Sequence, residues 1–305
     1  METLEQPELR EPAPHRAIIL KNKTCVYCGV ALTTSSDTKE HVVGRRFVPK
    51  GKLDGHWNLI TRACRHCNNE KSDLEDDISA ITLQADAWGQ HVAADPDRDV
   101  DAIRKGERCT SRATGKIVKE SNEQIDIELP FGSGAMMSFS ATSPPRVDNE
   151  RAFKLCRYHT TAFFYWITYN EESRHGGFWP GDFSPLLLAV RSDWGNPLHR
   201  GFMDAVCEWP VRVLGTTGSG YFKIAIRRHP SEICWSWALE WNANFRIVGF
   251  FGQHAVAQQL VDTFPPLEWR TIQRGREITR FREEIRLAEK DDRLFGCSSP
   301  SLATG

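Results

Sequence analysis

The sequence predicts an α+β protein: a small metal-braced N-terminal module, then a mixed α/β accessory region built on antiparallel hairpins. Three observations carry this. Two CxxC pairs, Cys25–Cys28 and Cys64–Cys67, bracket 35 residues near the N-terminus. Period-two runs flank tight turns at 124–142 and 233–251, the pattern of hairpins. Helical stretches are expected at 68–82, 149–169, 254–264 and 276–290.

Taken in order, residues 1–15 read as a flexible tail, acidic and proline-containing. Residues 16–82 hold the motifs and form the first domain. Within them, RAIIL at 16–20 suits a short strand or helix. VVGRRFVPKG reads as extended chain and then a turn, because Pro49 and Gly51 break any helix. From Asn68 onward, Leu74, Ile78 and Ile81 fall at helical spacing. Residues 83–148 read as a linker, with one short helical turn near 95–108 and a hairpin of QIDIELP and AMMSFSAT around FGSG. Residues 149–290 read as an accessory domain. It opens with a buried helix at 149–169 and continues with strands at 185–190, 211–215 and 221–228. Next comes the hairpin ICWSWALEW–NAN–FRIVGFFG, where Ile233, Trp235, Trp237, Leu239 and Trp241 share one face by alternation. Aromatics so placed suit a buried sheet face; the rival use is base stacking. Helices at 254–264 and 276–290 close the domain, and 291–305 reads as a disordered tail.

Composition excludes several classes. The chain has 305 residues, 40% hydrophobic and 26% charged, a globular balance. No run of about 18 apolar residues occurs, so no membrane span is expected. The first residues lack the apolar stretch of a signal peptide, which makes the cytoplasm the default location. Five of the nine cysteines are scattered and suit packing. Net charge is −1 overall, yet residues 16–71 carry 11 Lys/Arg against 4 Asp/Glu, or +7, leaving −8 elsewhere. A basic segment in an otherwise acidic chain is the pattern for contact with a polyanion.

The paired cysteines point to zinc. A CxxC turn presents two thiolates to one ion, and two such turns complete a tetrahedron of soft ligands. Gly29, directly after the first pair, permits the chain reversal. A redox CxxC needs a thioredoxin-like βαβ context, absent here. His66, inside the second pair, is expected to face solvent.

Between and after the knuckles come Glu40-His41, Asn58 in HWNLI, then Asn68 and Lys71 in CNNEK. This order resembles the HNH (ββα-metal, or His-Me finger) endonucleases, in their four-cysteine zinc subgroup. The resemblance covers about 21–82. It implies a zinc-stabilised ββα-metal module that hydrolyses DNA with a divalent cation, leaving 5′-phosphate and 3′-hydroxyl ends. His41 is then the general base, and Glu40 and Asn68 hold Mg²⁺ or Mn²⁺. Asn58 fixes the loop that carries His41, while Cys25, Cys28, Cys64 and Cys67 hold structural Zn²⁺. Two positions depart from the family's commonest residues: Glu40 stands where Asp is usual, and Asn68 where His is frequent.

The residue types suit the chemistry independently. A histidine near neutral pKa is the segment's best base, and carboxylate and amide oxygens are ligands for hard cations. Arg45, Arg46, Lys50, Lys52 and Lys71 are the expected DNA phosphate contacts. His56 and Trp57 suit packing. The expected partners are DNA and either a second copy of the chain or another protein, through the C-terminal domain. Restriction or anti-phage defence is the context the resemblance suggests. The alternative is a non-catalytic zinc-knuckle module that binds nucleic acid or docks a protein, which needs the cysteines but not His41.

Overall fold

A computed structural model describes residues 9–84, 95–131, 135–274 and 277–296. It is an α+β structure. Strands β1 (Ile18–Ile19), β2 (Asp37–His41) and β3 (Leu59–Cys64) form a small sheet in the order β1-β3-β2. β1 runs parallel to β3, and β2 antiparallel to it. Helix α1 (Arg65–Thr82) leaves β3 directly, with Cys64 as its N-cap residue. Helix α2 (Pro96–Arg108) follows. Strands β4 (Glu123–Phe131) and β5 (Ala135–Ser143) then pair as the expected hairpin, although residues 132–134 of its turn lie outside the described residues. Helix α3 (Asn149–Ile167) is capped by the Asp148 carboxylate, which accepts from Arg151 N.

The rest is one five-stranded antiparallel sheet with its covering helices. Its strands are β6 (Asp182–Val190), β7 (Val211–Thr217), β8 (Phe222–Arg228), β9 (Cys234–Trp241) and β10 (Phe245–Gly252), in the order β6-β10-β9-β8-β7. Helices α4 (Pro197–Val206) and α5 (His254–Val261) lie over one face. β11 (Arg270–Arg274) and β12 (Glu277–Phe281) pair as a last hairpin.

Every residue of β9 and β10 is buried, so this sheet is covered on both faces. Trp235, Trp237, Leu239 and Trp241 face one core, shared with Phe163 of α3 and with Val42, Phe47 and Trp57 of the N-terminal segment. Ala238, Val248 and Phe250 face the other, under α4 and α5. The tryptophans of the hairpin are therefore core, and base stacking on them is closed off. Ile233, expected on the same face, is 37% exposed because β9 starts only at Cys234.

The N-terminal segment is docked by specific bonds as well as by burial. Trp57 Nε1 donates to Thr216 O at 2.6 Å, and the Thr217 hydroxyl donates to Trp57 O. Asn242, in the β9–β10 turn, donates from Nδ2 to Phe47 O (3.2 Å) and Thr82 Oγ1 (2.7 Å). Asn242 and Ala243 both have φ near +52°, the left-handed pair that matches hairpin twist. One continuous core thus crosses from residues 16–82 into the large sheet.

Four expectations change. Residues 277–281 are strand where a helix was expected over 276–290, and 282–288 have no regular structure. Thr271, Ile272, Ile278 and Thr279 are β-branched, and the two short runs pair antiparallel. α2 is 13 residues long where a short helical turn was expected. Asp95 caps it by accepting from Asp97 N and Arg98 N, and Pro96 takes the first helical position. Residues 9–15 are not loose: Arg10 bridges Val213 of β7, and Trp57 N donates to Pro14 O. The C-terminal stretch is packed as far as 296, with Leu294 buried and Asp292 paired to Arg246. Residues 1–8 and 297–305 lie outside the described residues.

Candidate metal centre and histidine site

Two chain reversals bring the four cysteines together. After Cys25, Gly29 takes φ +74° and its N–H donates to Cys25 O at 2.9 Å, closing the first knuckle. The second pair spans the β3–α1 junction, so Cys67 sits in the first turn of α1. The four Sγ atoms all lie within 4.8 Å of one another, and Cys28 Sγ is 3.8 Å from Cys64 Sγ. A zinc tetrathiolate with Zn–S of about 2.3 Å has S···S edges of about 3.8 Å. Cys25 and Cys67 are buried, Cys64 is half-buried and Cys28 is exposed. Burial pushes the Cys25 thiol up to about 11 and raises Cys67 further. Buried sulfurs so close together suit a dication that stabilises their thiolate form. The cluster fits structural Zn²⁺, and it is the one such group among the described residues. His66 is exposed, as expected.

Beside the cluster, α1 runs along β2 and the loop after it, making a contact at nearly each turn. Asn68 Nδ2 donates to Thr38 Oγ1 at 3.0 Å. Lys71 Nζ reaches Glu40 Oε1 at 3.0 Å, Glu75 Oε1 at 2.6 Å and His41 O at 3.4 Å. Glu75 Oε1 also accepts from Gly44 N at 3.2 Å. A Cβ on Gly44 would stand 2.2 Å from Glu75 Oε2, so a side chain there would displace this carboxylate from its place. Tyr27 OH completes the network by donating to Glu40 Oε1 at 2.8 Å.

This network is buried and charged. Glu40 is 3% exposed and Lys71 1%. Burial raises the Glu40 pKa, which the Lys71 ammonium only partly offsets. Glu75 goes the other way: burial would raise it, but Lys71 and His159 together hold it down. Burial works against the Lys71 ammonium, and the Glu75 and Glu40 carboxylates outweigh it and hold its pKa up. One cation thus serves two acids, and Glu75 has the larger share.

His41 ends β2, opposite Ile60. It is half-buried, and its Nε2 atom is buried with no hydrogen-bond partner among the described residues. Burial, then the charges of Arg45, Lys39 and Lys71, lower its pKa. Both causes favour the neutral ring, in which one nitrogen is an acceptor. The loop beyond it is clamped by Asn58, which donates from Nδ2 to Val43 O at 2.7 Å and accepts at Oδ1 from Val43 N at 3.2 Å.

The expected site residues therefore divide. Glu40 and His41 lie on β2, Asn58 just before β3 and Asn68 on α1, and the side chains of Glu40, Asn58 and Asn68 are each held by partners of their own. Glu40 is not an open ligand, however: it is buried, and Lys71 and Tyr27 both hold its Oε1. Asn68 is engaged through its amide nitrogen with Thr38. With the Lys71 ammonium 3.0 Å from Glu40 Oε1, a Mg²⁺ or Mn²⁺ ion at that oxygen would have to displace it. Lys71 itself is unavailable to DNA: it lies on the stripe of α1 that buries Cys67, Leu74 and Ile78. Lys52 is paired with Asp95 at 2.9 Å and Asp97 at 3.3 Å. Arg45, Arg46 and Lys50 are exposed.

Several members of the site were not foreseen. Asn22 is fully buried and clamps the β3 backbone, with Nδ2 to Arg62 O at 2.7 Å and Oδ1 from Arg62 N at 2.9 Å. Tyr27, Glu75 and His159 were missed too. Lys71 lies three residues before Leu74 and four before Glu75, and that spacing was a signal for both its burial and its partner.

The chain matches no family model, no curated protein and no solved structure. The HNH resemblance therefore rests on its residues alone.

Proposed function

We propose that this protein hydrolyses phosphodiester bonds in DNA, with His41 as general base. One observation carries this reading: a histidine whose buried Nε2 has no hydrogen-bond partner among the described residues sits where β2 ends, before a loop clamped by Asn58 and beside the four-cysteine cluster. His41 takes a proton from a water as that water's oxygen bonds to phosphorus. The P–O3′ bond breaks, and the leaving oxygen takes up a proton from solvent. The ends are then a 5′-phosphate and a 3′-hydroxyl. Arg45, Arg46 and Lys50 supply positive charge beside the reacting group. Zn²⁺ on Cys25, Cys28, Cys64 and Cys67 braces the module and takes no part in the chemistry.

A second reading is favoured by Lys71. Its ammonium fills the cage that a divalent cation would need at Glu40, as in a non-catalytic module that keeps only nucleic-acid binding. Incubating supercoiled plasmid with the zinc-loaded protein, with and without Mg²⁺ or Mn²⁺, separates the two. The nuclease reading expects nicked product, and loss of about 10²- to 10⁴-fold in rate for His41→Ala with zinc content and DNA affinity intact. If the wild-type protein leaves the plasmid intact under every metal condition, the nuclease reading fails and the binding module replaces it.

A further inference from the structure

A cleft of about 480 Å³ opens between the loop after His41 and the C-terminal half of α2, floored by α1. Six cationic residues line it: Arg45, Arg46 and Lys50 from the loop, and Arg104, Lys105 and Arg108 from α2. Three acids line it as well, Glu75, Asp76 and Asp101, which leaves +3. The distribution of pairing matters more than the sum. Glu75 is taken by Lys71, and Asp101 by Arg104 at 2.8 Å and by Lys50 N at 2.5 Å. Arg45, Arg46, Lys50 and Arg108 are exposed, and their side chains have no ion pair among the described residues. Arg104 is 42% exposed.

The two walls are fastened to each other. Lys105 is buried, and its ammonium donates to Arg46 O and, at 3.3 Å, to Ser79 Oγ. Asp101 holds the Lys50 backbone from the same helix. These bonds fix the loop's guanidinium groups opposite those of α2. The groove thus faces three cations of the loop that have no ion pair among the described residues with Arg108 and with Arg104, whose partner is Asp101, on α2; Asp76 is the acid left between them. The arrangement suits a linear polyanion whose charges recur along its length.

We propose that this cleft is a track for the nucleic-acid backbone. It leads away from His41, with Arg45, Arg46 and Lys50 on one wall and Arg104 and Arg108 on the other. Lys105 is a positioning residue that holds the Arg46 turn. α2 thereby joins the binding surface, although its residues lie outside the segment that carries the sequence motifs. This inference rests on DNA being the substrate.

The test is fluorescence anisotropy of a labelled 30-base-pair duplex with the full-length His41→Ala protein, titrated over 50–200 mM salt; binding is read without cleavage. Adding Arg104→Ala and Arg108→Ala is expected to lower the slope of log Kd against log[salt] by about 2. Binding at the low-salt end should weaken about tenfold or more, with zinc content and melting temperature unchanged. Lys119→Ala, outside the cleft lining and paired with Glu107, serves as the control and should leave the slope alone. If the His41→Ala protein binds with a clear salt slope that the α2 substitutions do not alter, the track is overturned while DNA as substrate stands. If no salt-dependent binding is seen at all, DNA as substrate falls, and the track with it.

Discussion

The N-terminal module and the five-stranded sheet hold their strands in place by opposite means. The sheet uses size: Trp237, Trp241 and Phe222 fill one face and Phe250 the other, with Phe183 stacked on Trp237 at 4.9 Å between centroids. The module has short strands of two, five and six residues and few large side chains of its own. It compensates with a sulfur cluster, two asparagine clamps and a buried Tyr27–Glu40–Lys71–Glu75 network. Polar devices of this kind fix geometry tightly but fail abruptly, because each depends on a partner. Apolar packing degrades gradually. A site that must hold one imidazole in place benefits from the first kind; a scaffold is well served by the second.

The largest expected effect is removal of the ion. Structural zinc sites contribute about 10–16 kcal/mol of apparent binding free energy at neutral pH. Elemental analysis should find one zinc per chain. Stripping it with a chelator, or making Cys67→Ser, should unfold the β2–β3–α1 unit and lose helical circular dichroism. The tryptophan emission of the large sheet should change far less. Equal loss of both signals would break the contrast between the regions, and would make the shared core the true cooperative unit.

Next comes the buried cation. Lys71→Met leaves Glu40 and Glu75 facing each other without a counter-charge, at a cost of about 3–5 kcal/mol near pH 7. The wild-type signs are clear. The Lys71 pKa is raised, so its stabilisation is present below its unfolded value of 10.5 and lost as pH climbs through the folded value. The Glu75 pKa is lowered, so its stabilisation is present above 4.5 and lost as pH falls through the folded value. In Lys71→Met the acids favour protonation, so its deficit in urea midpoint should shrink as pH falls from 7 toward 5. A deficit that is the same at both pH values would show that Lys71 contributes by packing alone.

How far the sequence discloses this molecule follows from the same contrast. Local patterns were legible. The CxxC spacing gave the sulfur cluster, alternation gave β9 and β10, and the apolar run gave α3. The Asn58 clamp, implied by resemblance, has its expected form in two bonds to Val43. Long-range partners were not legible. The i,i+4 spacing points to Glu75, but nothing local to Lys71 specifies that Glu40, 31 residues earlier, shares its ammonium. By charge alone it reads as a DNA contact. Arg104 and Arg108 sit in a stretch read as linker, and only the docking of α2 against the 45–50 loop gives them a role. The 276–290 segment shows the reverse failure: its helical pattern is real but weaker than strand pairing with 270–274.

The smallest effect sharpens the comparison at the seam between the regions. His159 lies in α3 among Phe47, Phe222 and Trp241, with ring centroids 5.2–5.7 Å away, and its Nε2 is 3.6 Å from Glu75 Oε1, beyond a hydrogen bond. His199 is buried on the other face of the sheet, near Arg246 and Asp292. Burial lowers each pKa from 6.5 to about 4. Between those values the unfolded chain takes up a proton that the folded chain refuses, so stability falls as pH drops from about 6.5 to about 4. Each histidine accounts for at most about 3 kcal/mol of that loss. Urea midpoints at pH 7 and pH 4.5 for the wild type, His159→Phe and His199→Phe apportion it. Each substitution should flatten the acid side of the profile. If only His159→Phe does so, the acid-sensitive point is the join between module and sheet, where the charged network of one region meets the aromatic core of the other.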